Sequence, residues 1–190
     1  MTRHTCWLAL GSVVLGVLLA GCASAYGRGQ EAFEAGRYDD AAREFEAASA
    51  SSARPLDALT ALGISRYKLG DFVGAREVLR RVLADAPTRT EARMYAALAE
   101  LAQREDARAL EDLEALRPLI RHPRIAATVD RATEAIREGL SEPARRLVAA
   151  SLDDAVEWAH DVQRASRRPY AYSFEPSWSI YRDRYYLPFR

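Results

Sequence analysis

Two cysteines and three histidines are all that this 190-residue chain offers to thiol chemistry, imidazole catalysis or soft-metal binding. Cys6 lies inside an N-terminal apolar segment and Cys22 at its end. Once that segment is cut away, neither an intramolecular disulfide nor a cysteine metal cluster can form. Of the histidines, His4 is in the same segment, His122 precedes Pro123, and His160 sits in a long helical stretch among carboxylates. HExxH, GxSxG, a Walker-type glycine loop and CxxC are absent, and Ser24, Ser49, Ser51 and Ser52 have no histidine the sequence can assign to them. Asp39-Asp40 and Asp153-Asp154 are paired carboxylates, but near helix starts or polar faces they read as solvated helix charges. The expectation is a protein with no catalysis, no metal and no small-molecule substrate.

An excess of either charge is also missing, since 27 basic residues balance 27 acidic ones. No long-range field draws such a chain onto nucleic acid or an anionic bilayer. Lysine is almost absent: Lys68 stands alone, and arginine carries the rest of the positive charge. The apolar run from Trp7 to Ala20, led by Arg3 and His4, falls short of the roughly 20 residues that span a bilayer and has the make-up of a secretory signal. What remains, with 49% hydrophobic and 28% charged residues over the whole chain, suffices for one domain with a substantial core.

The apolar run ends in Leu19-Ala20-Gly21-Cys22, which resembles the lipobox of bacterial lipoproteins: an apolar residue and two small ones before a cysteine. The resemblance implies that residues 1–21 are removed and that Cys22, carrying a covalent lipid, becomes the N-terminus; no other cofactor is expected. Up to three acyl chains, at roughly 0.8 kcal/mol per buried methylene, hold such a protein permanently on a membrane. Ala23 and Ser24 follow in place of the aspartate that retains lipoproteins in the inner membrane, which implies a periplasm-facing position at the cell outer membrane. The alternative is cleavage after Ala25, a small-x-small site, releasing a periplasmic protein that begins at Tyr26.

The mature chain repeats itself at a shift of 34 residues over 22–55, 56–89 and 90–123, and a fourth unit with a one-residue offset opens the stretch 124–166. Small residues recur at Gly29, Gly63, Ala97 and Ala132, and at Ala41, Ala75, Ala109 and Ala144, with the bulky Phe33, Tyr67, Leu101 and Ile136 between them. A turn glycine follows at Gly36, Gly70 and Gly139, where the third unit has Arg104, and then the apolar Phe45, Leu79, Leu113 and Val148. The columns predict two helices per unit joined by a tight turn, with small residues where the axes approach and Pro55, Pro87 and Pro123 stopping the second helices. Ser141 is placed to cap a helix entered by Glu142 and Pro143. Beyond it Ala144, Val148, Leu152, Ala155, Ala159 and Val162 form one stripe of a long helix, expected to cover the open end of the stack.

Leu62-Gly63-x-x-x-Tyr67-x-x-Gly70-Asp71-Phe72-x-x-Ala75 with Pro87 resembles the tetratricopeptide repeat, and Gly29, Phe33, Gly36, Tyr38, Ala41, Phe45 and Ala48 follow the same pattern. The resemblance covers about residues 25 to 155 and fades in the third and fourth units, where Arg104 and Asp106 replace the turn glycine and its aromatic. It implies an all-α, helix-turn-helix solenoid of three to four repeats with a capping helix and an irregular tail. A generic alanine-rich helical bundle is the alternative. The family's concave surface commonly grips a segment of another protein, which carries groove roles to Tyr26, Gln30, Phe33, Thr60, Ile64, Tyr67, Lys68, Met94 and Leu98. Some of these, Phe33 and Tyr67 first, serve equally well as packing residues.

Residues 167–190 change character: Tyr172, Phe174, Trp178, Tyr181, Tyr185 and Tyr186 are interleaved with Arg182, Arg184 and Arg190, and Pro169, Pro176 and Pro188 exclude a regular helix. Such a tail either packs back on the repeats or binds a partner, because Tyr, Trp and Arg dominate binding hot spots; stacking on nucleic acid is not expected of an exported protein. The functions that follow are an envelope adaptor holding a protein partner, a structural subunit whose groove is filled by its own tail, or a cell-wall glycan-binding accessory.

Overall fold

The structure is a computed structural model that describes residues 24–51 and 54–167. Among the described residues there is no strand. Eight α-helices follow one another: α1 (Ala25–Glu34), α2 (Tyr38–Ser51), α3 (Pro55–Lys68), α4 (Phe72–Asp85), α5 (Thr90–Ala102), α6 (Asp106–Leu116), α7 (Pro123–Glu138) and α8 (Glu142–Arg167), with a 3-10 turn at Arg117–Leu119. The chain divides into two compact units between Val156 and Glu157. The packing described below lies within the first; in the second, α8 runs on to Arg167.

The helices pair as the 34-residue columns require. Gly29 in α1 faces the ring of Phe45 in α2, and a Cβ on it would lie 2.7 Å from that ring. One repeat later Gly63 in α3 meets Leu79 in α4, where a Cβ would come to 2.6 Å. Glycine at these columns therefore makes the hole that the next apolar column fills. Ala97 and Leu113, the same columns of the third unit, are both fully buried.

Each hairpin turns by the same backbone geometry. The amides of Arg37, Asp71 and Glu105 bond back to the carbonyls of Ala32, Arg66 and Glu100 at 2.9–3.0 Å, five residues earlier. This closure needs a left-handed residue just before the bonding amide. Gly36 (φ 73°) and Gly70 (φ 83°) supply it, and in the third unit Arg104 takes φ 61° to make the same turn. The repeat geometry therefore persists after its glycine is lost.

Two expectations about helix ends need correction or refinement. Pro55 and Pro123 do not stop second helices; each is the first residue of the following first helix, where its missing N–H breaks no bond. Of these three prolines Pro87 alone lies in a connection after a second helix. Ser141 caps α8 as expected, its Oγ accepting from the Ala144 amide at 3.4 Å.

The path of α8 was not expected in full. Met94 to Leu101, more than two turns of α5, are buried on every face. The first helix of an open stack leaves its groove side bare, so something must cover it. Leu152 and Val156 of α8 share one core cluster with Tyr95, Leu98 and Leu101. Asp153 bonds to Lys68 at the end of α3 and to Tyr95 in α5. Helix α8 thus reaches the first helices of the second and third units.

Candidate partner-binding groove

Lys68 occupies the last position of α3 because the helical phase that buries Leu62 and Ile64 leaves it at the rim. Its Nζ donates to both carboxylate oxygens of Asp153, at 2.9 and 2.7 Å, and Tyr95 Oη donates to Asp153 Oδ1 at 3.1 Å. The side chains of Lys68 and Asp153 retain only 13% and 24% of their exposure, so water competes weakly for this pair. The Tyr67 ring packs on Tyr95 (centroids 5.4 Å apart) and on Phe72 (5.6 Å), building an aromatic wall beside the ion pair. Burial, with the Asp153 charge adding and Lys68 opposing, pushes the Tyr67 phenol up to about 12. It stays neutral well past the usual tyrosine range near 10.

The nine expected groove positions divide into three groups. Thr60, Ile64, Met94 and Leu98 are buried, Met94 and Leu98 in the stretch of α5 that shares a cluster with Leu152 and Val156 of α8. Thr60 Oγ1 is satisfied by the Leu56 carbonyl at 2.7 Å. Lys68 is bonded by Asp153 of α8, and the Asp153 charge acts on the half-buried Tyr67. Tyr26, Gln30 and Phe33 belong to the first unit. Phe33 is half-buried with its ring 5.2 Å from that of Tyr38, Tyr26 lies half-buried 5.4 Å from Phe45, and Gln30 is exposed. A cavity of about 180 Å³ opens beside Tyr26, lined by Ser24, Ala48, Ser51, Arg54 and Asp57 among others. Burial first, then the charges of Asp57 and Glu91, raises the Tyr26 phenol above its ordinary value. Cys22, Tyr172, Phe174, Trp178, Tyr181, Tyr185 and Tyr186 lie outside the described residues.

Sequence reasoning missed Asp153 and Tyr95. Asp153 had the look of a solvated helix charge; the structure corrects this, since it is the carboxylate that meets the only lysine. Asp39 and Asp40 do behave as helix charges, both pairing with Arg43 near the start of α2. The one signal for Asp153 was its place beside Leu152 on the apolar stripe of α8, where a solvated charge does not belong.

A second ionic cluster lies between α4, α5 and α6. Glu100 and Asp112 are almost fully buried, and Arg80 bridges them, bonding Glu100 and lying 2.9 Å from Asp112 Oδ2, while Arg93 donates to Asp112 Oδ1 at 2.8 Å. Among the described residues Glu100 Oε2 and Arg93 Nε have no hydrogen-bond partner. Desolvation raises both carboxyls above their ordinary range, partly offset by the arginines. Arginines and carboxylates neutralise one another here, so the cluster clamps two units together and offers no net charge to an ion. No group of three or more metal-ligating side chains occurs among the described residues.

The tetratricopeptide repeat profile matches residues 26–88 and again 60–121. The chain belongs to the tetratricopeptide repeat family. The overlap of the two matches falls on the second unit, whose glycine, aromatic and alanine columns are the most complete. No curated protein matches the chain as a whole. A tetratricopeptide stack is an interaction scaffold, typically without chemistry of its own; among the described residues Gln30 of the first unit is exposed, while Lys68 of the second is bonded by α8.

Proposed function

We propose that this protein is a non-enzymatic adaptor, anchored through lipid on Cys22 at the periplasmic side of the outer membrane. There it holds a protein partner during assembly of an envelope machine such as a pilus, a secretion system or an outer-membrane-protein insertion system. The observation that carries the adaptor reading is the contrast within one groove: α8 engages Tyr67 and Lys68, while Tyr26 and Gln30 in the first unit are left half-exposed and exposed. The anchor reading draws support from the start of α1, where Ser24 Oγ accepts from the Gly27 amide at 3.1 Å. Cleavage before Cys22 keeps this cap; cleavage after Ala25 removes it and costs about 1 kcal/mol.

Two experiments test the reading. Metabolic labelling with a palmitate analogue is expected to mark the wild-type chain and not Cys22→Ala; labelling that survives the substitution overturns the anchor. A photoreactive side chain in place of Gln30 is expected to give one protein adduct in intact cells, and the same group in place of Glu77 none. Identical adduct patterns from both positions overturn the adaptor.

The seating of Asp153 between Lys68 and Tyr95 favours a second reading, a structural subunit whose groove is filled by its own chain. Under that reading Gln30 gives no adduct, and the protein purifies in a fixed complex through other surfaces.

A further inference from the structure

Most of what α8 contributes to the groove is concentrated in one short pattern. Leu152 is fully buried, Asp153 is its neighbour in sequence, and Val156, one turn on, is buried beside it. An apolar residue, a carboxylate at the next position and a second apolar residue four along spread over about 100° of the helix, the width of one face. That face meets Lys68, the aromatic wall of Tyr67 and Tyr95, and the apolar side of α5.

The rest of α8 is held differently. At its start Arg145 bonds Asp106 at the head of α6, and Arg104 pairs with Glu142 at 2.7 Å in an exposed contact. A three-residue link, Gly139 to Ser141, with Gly139 at φ 94°, joins it to α7. Leu147, between the anchored start and the groove-facing face, is 72% exposed. The α8 start and the groove contact are distinct sets of bonds; between them Leu147 faces solvent while Val148 and Ala149 pack on the core.

We propose that the groove of the second and third units is a receptor for an amphipathic helix of a partner protein carrying a carboxylate between two apolar residues, and that α8 occupies it until such a helix displaces residues 148–156. The inference rests on the adaptor reading and gives its partner a chemistry. The single lysine supplies the charge complement, and the occupant already seated shows which pattern fits. A basic helix sets like charge against Lys68 and is rejected.

The test uses the full mature chain and a labelled synthetic peptide of residues 142–167, read by fluorescence anisotropy. Asp153→Asn in the chain weakens the occupant in place, so the wild-type peptide is expected to bind this variant about tenfold more tightly than the wild-type chain. A peptide carrying Asp153→Asn is expected to lose that gain, and Lys68→Ala in the chain to abolish it. Equal binding of the two peptides, or no gain on the variant chain, overturns the proposal.

Hydrogen exchange on the wild-type chain covers the case of a variant that does not fold. Excess wild-type peptide is expected to speed exchange in residues 148–156 of the chain while α3 and α5 keep their protection; unchanged exchange at saturating peptide overturns it. Concentration-dependent dimers of the wild-type chain that vanish with Asp153→Asn would make the occupant a second copy, which also overturns it. Peptide binding as expected, together with no adduct from Gln30, leaves this receptor standing and removes the first-unit adaptor surface instead.

Discussion

Gly63 and Leu79 touch so closely that any side chain at position 63 must push the leucine aside. Gly63→Ala is expected to cost about 1–3 kcal/mol in urea unfolding, and Leu79→Ala in the same chain to recover part of it, because the added methyl then meets the space left by the leucine. Arg104 presents the opposite case. It holds φ 61° without being glycine, so Arg104→Gly is expected to raise stability by up to about 1 kcal/mol, the loss of its exposed contact with Glu142 being small. Both residues were legible in the sequence as members of columns, the first as a conforming glycine and the second as a departure. The turn itself survives the departure, because the amides of Arg104 and Glu105 bond the carbonyls of Leu101 and Glu100 and α5 packs on α6.

Glu100 brings a pH dependence. Its folded carboxyl titrates above the usual glutamate value of about 4.3, chiefly through desolvation, so the folded state holds the proton longer than the unfolded chain. Below the unfolded value both states are protonated and burial carries no ionic cost. As pH rises through the raised folded value the cost appears in full. The stability of wild type minus that of Glu100→Gln is therefore expected to fall as pH rises above the unfolded glutamate value in urea titrations. A difference that rises with pH contradicts the desolvation assignment.

The apolar phases of α1 to α6 could be read directly from spacing, since each helix contacts mainly its neighbours in sequence and the columns repeat. For α8 the length, the Ser141 cap and the buried Leu152 and Ala155 were legible in the same way. Its return across the groove was not. The Lys68–Asp153 pair joins residues 85 positions apart, and no local pattern carries that distance. Four of the expected groove positions are buried, and the column rule identifies the first helix without saying what covers each of its faces. At this scale the contact of α8 with α3 has a measurable worth. A double-mutant cycle of Lys68→Ala and Asp153→Ala is expected to give a coupling of about 1 kcal/mol, above that of most exposed pairs because both side chains are largely shielded.

The whole molecule joins an expected membrane address to an interaction surface. Helix α1 begins at Ala25, three residues after the proposed lipid site, so a lipid on Cys22 leaves almost no linker before the first repeat. If the proposed lipid is in place, half-buried Tyr26 and exposed Gln30 lie close to the membrane, and the stretch engaged by α8 follows one repeat further along the chain. The central claim is that α8 closes this second stretch of groove, and the single lysine makes it measurable. Amine-selective acetylation of the mature chain, followed by mass spectrometry of the Lys68 peptide, reads the accessibility of Nζ with no other lysine to confuse it. The expected result is modification at least about tenfold slower than in the unfolded chain, an effective protection of about 1.4 kcal/mol, and a clear acceleration in Asp153→Asn. Modification of wild type as fast as in the unfolded chain, or unchanged by Asp153→Asn, contradicts it.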